Sequence, residues 1–236
     1  MADNAYVSAR DVTKVYKTGE VEVRALRGVT LQIQEGDFLS IVGPSGSGKT
    51  TLLNVIGALD SVTSGKLEVL GRDMVKLSRR ERADVRLKSL GFVFQAYNLI
   101  PVLTARENVE FVLELQGVRN DRSSRAREIL EELGLSDLSD RRPLQMSGGQ
   151  QQRVAVARAV ASRPKLVLAD EPTANLDGEN AEILMNMMRR LRDEHKMTFI
   201  FSTHDPRVVA HASRVVTLTD GRISSDEQKD PSGMIQ

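Results

Sequence analysis

Short apolar runs separated by stretches of helical periodicity set the rhythm of this chain. Residues 38–42, 90–94, 166–169, 198–202 and 215–218 are near-continuously apolar rather than alternating. Strands of that kind are covered on both faces, as in a parallel sheet with helices on each side. Between them, Leu52, Leu53, Ile56 and Leu59 share one face of a helix expected from Lys49 to Leu59. Ile183, Leu184, Met187 and Leu191 share a face of another. The alternation of strand and helix predicts an α/β fold.

The first 35 residues read differently. Strand-like patches at 6–15 and 29–33, with turns at Thr18-Gly19 and Glu35-Gly36, predict an antiparallel flap beside the main sheet. Residues 96–161 are richer in helix signals, including an amphipathic stretch at 125–133 that stops at Gly134, a C-cap residue. They are expected to form an inserted helical subdomain, with 1–95 and 162–223 as the core of a single domain spanning 1–236. From Ser224 the chain is polar, with Pro231 and Gly233, and a mobile tail is expected there.

Composition narrows the function classes. A chain of 236 residues suits one domain with an insertion. With 40% hydrophobic and 28% charged residues it reads as a soluble globular protein. Its 33 basic and 32 acidic residues nearly cancel, so bulk charge points to neither nucleic acid nor a membrane surface as partner. Absence of cysteine excludes a disulfide framework and a thiolate metal site. No signal peptide is expected from the first residues, and no apolar run approaches the length of a membrane span. A cytoplasmic location follows as the expectation, with any membrane role exercised through a partner.

Candidate chemistry begins at Gly43-Pro44-Ser45-Gly46-Ser47-Gly48-Lys49-Thr50, followed by Thr51. It matches the G-x-x-x-x-G-K-[ST] pattern between an expected strand and an expected helix, the context the motif requires. Glycines let the backbone wrap around phosphates, and successive N–H groups and the helix end face the anion. Lys49 is expected to reach the β- and γ-phosphates and Thr50 to ligate Mg²⁺. The plain alternative is an ordinary Gly/Ser turn.

The apolar run 166–169 leads into Asp170-Glu171, at the strand end where open α/β sheets hold ligands. Asp170 is a candidate Mg²⁺ ligand and Glu171 a candidate general base. Adjacent strand residues point to opposite faces, so the two share a site only if the strand ends there. The alternative is a solvated acidic turn before Pro172. Further back, Ser147-Gly148-Gly149-Gln150 precedes a helix expected over 150–162. A Ser hydroxyl, glycine N–H groups and a helix N-terminus make a second anion site, or a plain helix cap.

Met146-Ser147-Gly148-Gly149-Gln150 resembles the LSGGQ signature of the ABC ATPases, with Met146 where Leu is usual. The resemblance covers essentially residues 5–223 and implies a P-loop NTPase core with a mostly parallel sheet, an antiparallel β flap and an inserted helical subdomain. It implies roles for further residues: Gln95 as the Q-loop glutamine sensing Mg²⁺ and water, Asp177 as the D-loop acid, His204 as the switch histidine, and Tyr16 as the ring stacked on adenine. Taken alone, Gln95 is a polar residue at a strand end, His204 a turn histidine and Tyr16 a surface tyrosine. The stripe Met185, Met187 and Met188 reads as helix packing.

The segments 91–95, 98–101, 103–109 and 21–26 look like the ATPases of lipoprotein-release, macrolide-export and cell-division systems. The lipoprotein-release subunits usually continue with Pro-Leu after Asn108-Val109, where Glu110-Phe111 stands here. Across this family the signature of one protomer closes on ATP held by the phosphate loop of another. The resemblance therefore implies a head-to-tail homodimer, with ATP and Mg²⁺ bound, working on an integral membrane permease from the inner face of the membrane. Two other readings remain: a soluble ABC ATPase, and an ATPase that regulates a periplasmic process through a membrane protein. No long coiled coil, no second cassette and near-neutral charge argue against nucleic acid as the partner.

Overall fold

The computed structural model describes residues 5–229. Two long strands, β1 (Ala5–Thr18) and β2 (Val21–Gln34), form an antiparallel hairpin. Then follow β3 (Phe38–Val42), α1 (Lys49–Ile56), β4 (Ser64–Val69), β5 (Arg72–Asp73), α2 (Arg79–Ser89) and β6 (Leu90–Val93). Helices α3 (Ala105–Leu115), α4 (Arg122–Glu132) and α5 (Gly148–Val160) come next, with two short 3₁₀ turns before α5. The chain ends with β7 (Leu166–Asp170), α6 (Gly178–His195), β8 (Thr198–Ser202), α7 (Pro206–His211), β9 (Arg214–Thr219) and β10 (Arg222–Gln228).

Six strands build the main sheet in the order β10-β9-β3-β8-β7-β6, parallel throughout except for β10 against β9. Its strands alternate between two cores. Phe38, Val167, Phe199 and Phe201 face one with α5 and α6; Leu39, Ile41, Leu168 and Ile200 face the other with α1 and the flap. This period of two explains the unbroken apolar runs: both faces are covered. Phe38 meets Phe201 nearly edge-on, centroids 4.6 Å apart.

Several expectations are corrected. The flap is a four-stranded sheet, β2-β1-β4-β5, so residues 64–73 join it although they lie beyond the phosphate loop. Helix α1 stops at Ile56: Gly57 ends it and Ala58 takes φ +56°, leaving Leu59 exposed outside the helix. The buried stripe of α6 is Ala181, Leu184, Met185, Met188 and Leu191, while Ile183 points outward. Residues 224–228 are not a loose tail but part of β10, clamped by Arg214 bonding Asp226 at 2.7 Å. The remainder of the expected tail, 230–236, lies outside the described residues.

Candidate functional site

The loop between β3 and α1 can only be built with glycine at its corners. Gly43 has φ +148°, and a Cβ there would lie 2.0 Å from Leu218 O. Gly48 has φ +104°, and a Cβ there would lie 2.5 Å from Ala25 O. Lys49 is nearly buried, and its Nζ donates to Gly43 O at 2.8 Å and Pro44 O at 3.0 Å, so the ammonium is folded over the loop. Ser47 is buried and its hydroxyl has no partner, while its N–H donates to Pro44 O at 3.2 Å and its carbonyl accepts from Gly221 N at 3.0 Å.

Thr50 Oγ1 donates to Asp170 Oδ1 at 3.1 Å, joining residues 120 positions apart. Ser202 Oγ donates to the same oxygen. Asp170 and Ser202 are direct partners in the β7–β8 ladder, so the register of two parallel strands makes this cluster. Two hydroxyls and a carboxylate are hard oxygen donors, and such a set fits Mg²⁺ rather than a softer metal.

The strand does end at Asp170. Glu171 takes φ +46°, and its N–H donates to Ser202 O at 2.9 Å. This turn swings the Glu171 carboxylate toward β8, where Oε1 lies 2.7 Å from His204 Nδ1 and Oε2 accepts from Thr203 Oγ1 at 3.3 Å. Glu171 is largely buried and His204 exposed. Both line a cavity of about 800 Å³ with the phosphate loop, Thr51 and Gln95. Its far wall comes from the start of β2, including Arg24 and Arg27.

Gln95 sits on a loop held from two sides. Asn175 Nδ2 donates to Gln95 O at 3.0 Å, and Arg158 of α5 donates to Tyr97 O at 3.0 Å and to Asn98 O. Burial pulls the Arg158 guanidinium below the usual arginine range. Tyr16 stands apart: it does not line the cavity, its hydroxyl donates to Asp60 Oδ2 at 2.9 Å, and Lys14 Nζ lies 4.8 Å from its ring centroid. Burial and the Asp60 bond hold its phenol above the ordinary tyrosine range.

Ser147 caps α5 in a reciprocal pair with Gln150: its Oγ accepts from Gln150 N at 3.3 Å, and Gln150 Oε1 accepts from Ser147 N at 2.9 Å. A Cβ at Gly148 would fall 2.8 Å from Tyr97 Oη, and one at Gly149 2.7 Å from Asn180 Oδ1. Asn180 in turn bonds Asp177, the cap of α6, whose carboxyl is held below the usual range first by the Asn180 N–H. The structure thus groups Ser147, Gly148, Gly149, Gln150 and Asp177 together, and none of them lines the chain's own phosphate-loop cavity.

Sequence reading missed Ser202, Thr203 and Arg158. The first two directly precede His204, but their partners depend on strand register. Arg158 looks like one more charge on a helix until the loop it holds is in view.

Comparison with known proteins follows the same lines. A family profile described as "ABC transporter" matches residues 26–174. The chain belongs to the ABC transporter family. It is an ATPase of that family, with the α/β cassette fold. An uncharacterized ABC transporter ATP-binding protein of Thermotoga maritima is 47% identical, over 93% of this chain and 94% of the relative. The lipoprotein-releasing system ATP-binding protein LolD 1 of Caulobacter vibrioides is 44% identical, over 96% of this chain and 97% of its own. The macrolide export ATP-binding/permease protein MacB of Syntrophobacter fumaroxidans is 44% identical, but this chain spans only 31% of it. Among solved structures, the ATP-binding cassette MJ0796, a dimer in a post-hydrolysis state bound to ADP and Pi, superposes with a TM-score of 0.87 at 42% identity, covering 94% of this chain and 98% of that one. Among the described residues of this cassette, no helix is long and apolar enough to cross a membrane.

Proposed function

We propose that the chain is the ATP-driven motor subunit of a transport complex, in which two copies pair head to tail on ATP and drive an integral membrane permease of the lipoprotein-release or efflux type. The observation that carries this reading is the separation inside one chain of two phosphate-binding devices. The cavity at the phosphate loop is lined by Lys49 and Glu171, while the capped helix end at Ser147 lies outside it. A second copy supplies what the cavity lacks.

In this reading Lys49 leaves the loop carbonyls for the β- and γ-phosphates, and loop N–H groups receive the phosphate oxygens. Thr50, Asp170 and Gln95 would hold Mg²⁺, which neutralises phosphate charge when bound. Glu171 orients the attacking water and takes its proton, with His204 fixing the carboxylate and facing the γ-phosphate. Ser147, Gly148, Gly149 and Gln150 of the partner copy would close the site, with Asp177 beside them. Tyr16 is assigned to adenine, which asks its ring to serve from the edge of the cavity.

The permease is assigned to an apolar groove of about 410 Å³ lined by Leu59, Phe92, Phe94, Val112 and Leu115, with Asn98 and Arg158 at its edge. A groove with such an apolar lining takes the apolar face of an amphipathic helix. Because Arg158 touches both groove and Gln95 loop, an occupant there would be felt at the catalytic cavity. Such a partner would place the cassette on the inner face of the membrane.

The test is a pull-down from native membranes with tagged Glu171→Gln, ATP and Mg²⁺. Stoichiometric capture of an integral membrane protein supports the motor reading, and that protein's periplasmic part separates transport from regulation. Capture of soluble proteins alone favours a soluble ABC ATPase.

A further inference from the structure

Between residues 72 and 88, spanning β5 and α2, seven Lys and Arg stand against three Asp and Glu. That local excess of four occurs in a chain whose net charge is +1. Arg72, Lys76, Arg79 and Arg80 are exposed. Lys76 pairs with Asp73 at 3.1 Å, and Glu81 is turned back onto Ser78 N at 2.8 Å. Among the described residues no carboxylate pairs with Arg79, Arg80 or Arg82.

Their position is as informative as their number. Arg79, Arg80 and Arg82 occupy the first turn of α2, at the positive end of the helix dipole, where carboxylates are favoured and cations are not. Three cations there repel one another and the helix end, with Glu81 as the sole acid of that turn. An arrangement that opposes the local field is stabilised by an anion brought from outside. Val75, 52% exposed, lies in the same turn between β5 and α2.

The patch also continues the proposed permease groove. Arg79, Ala83 and Leu87 lie at i, i+4 and i+8 on one stripe of α2, and Ala83 and Leu87 line that groove. The cations spread over a strand end, a turn and a helix start. Many shallow, exposed guanidinium and ammonium contacts suit a field of phosphodiesters better than one bound phosphate.

We infer that the basic start of α2, with Arg72, Lys76, Arg79 and Arg80, rests on anionic phospholipid headgroups beside the permease. Its orientation toward the membrane rests on the motor reading above; its charge pattern does not.

The test uses the full chain in co-sedimentation with phosphatidylglycerol-containing vesicles and with pure phosphatidylcholine vesicles. Binding is expected only to the former, falling as salt rises. The double reversal Arg79→Glu/Arg80→Glu should lose roughly thirtyfold or more in binding, at about fivefold for each basic side chain removed. Glutamates at a helix start suit the dipole, so this variant should melt no lower than the parent, and its ATPase rate should be unchanged. Equal binding to both vesicles, no binding to the anionic ones, undiminished binding by the variant, or binding of nucleic acid alone would each overturn the inference. Anionic vesicle binding without any permease in the pull-down would sink the motor reading and leave the patch standing. Permease capture without vesicle binding would do the reverse.

Discussion

Nδ1 of His204 stands 2.7 Å from Oε1 of Glu171, across the ends of the neighbouring parallel strands β7 and β8. Thr203 holds the other oxygen of the same carboxylate. The base proposed for hydrolysis is thus oriented on both sides before any substrate is considered. Glu171→Gln preserves shape and removes the proton acceptor. Turnover should fall by roughly 10²–10⁴-fold with ATP affinity kept, and the variant should elute as a dimer with ATP and Mg²⁺ in size-exclusion chromatography. Near-normal turnover would remove Glu171 from the role of base.

Gly149 packs where a methyl group would lie 2.7 Å from Asn180 Oδ1. Gly149→Ala should lower stability by about 1–3 kcal/mol through overpacking, read in denaturant melts. Adding Asn180→Ala should return much of that loss beyond additivity, since the two residues share one contact. Strict additivity would show that the clash is relieved elsewhere.

Arg158 is the tie between α5 and the Gln95 loop. Arg158→Ala should leave the ATP dissociation constant near that of the parent and lower turnover by up to about a hundredfold, as expected for a misplaced catalytic loop. Arg158→Lys, which keeps one donor, should recover part of the rate. A change in ATP affinity with turnover intact would contradict this positioning role.

Tyr16 presents its ring beside Lys14 and its hydroxyl to Asp60. If the ring stacks on adenine, Tyr16→Ala should weaken ATP binding by about 1–3 kcal/mol, and Tyr16→Phe by far less. Isothermal titration with both variants decides it, and unchanged affinity in Tyr16→Ala would leave the residue a purely structural part of the flap.

Asp205 follows His204 and caps α7. Its carboxyl is held below the usual range first by the Arg207 guanidinium, which bonds it at 2.7 Å, despite burial acting the other way. Because the folded value is depressed, its contribution is complete above the unfolded value of about 3.9 and is lost as pH falls through the folded one. Melting temperatures of parent and Asp205→Asn should therefore differ at neutral pH and converge in acid. A gap that persists below that window would place the stabilisation elsewhere.

The chain's local patterns were sufficient for what local geometry decides. The phosphate loop is legible because its glycines, lysine and threonine act within a few residues of one another, between a strand and a helix that their own periodicity marks. The cap at Ser147 is likewise a local device. The α/β class followed from apolar runs too continuous for a sheet with one wet face.

Tertiary structure alone decided which distant residues meet. Ser202 reaches Asp170 across 32 positions through strand register, Asn175 reaches Gln95 across 80, and Arg158 holds Tyr97 across 61. Residues 64–69 were recruited to the flap by pairing with β1, far away in sequence, while 224–228 reached the edge of the main sheet through a hairpin with the preceding strand β9. The same packing took Leu59 off its helix and set it in the groove wall. Periodicity records which face of an element is apolar, but not which other element will cover it. That choice depends on shape, register and hydrogen bonding summed over the folded chain, and it is there that the cavity, the Gln95 loop and the groove were made.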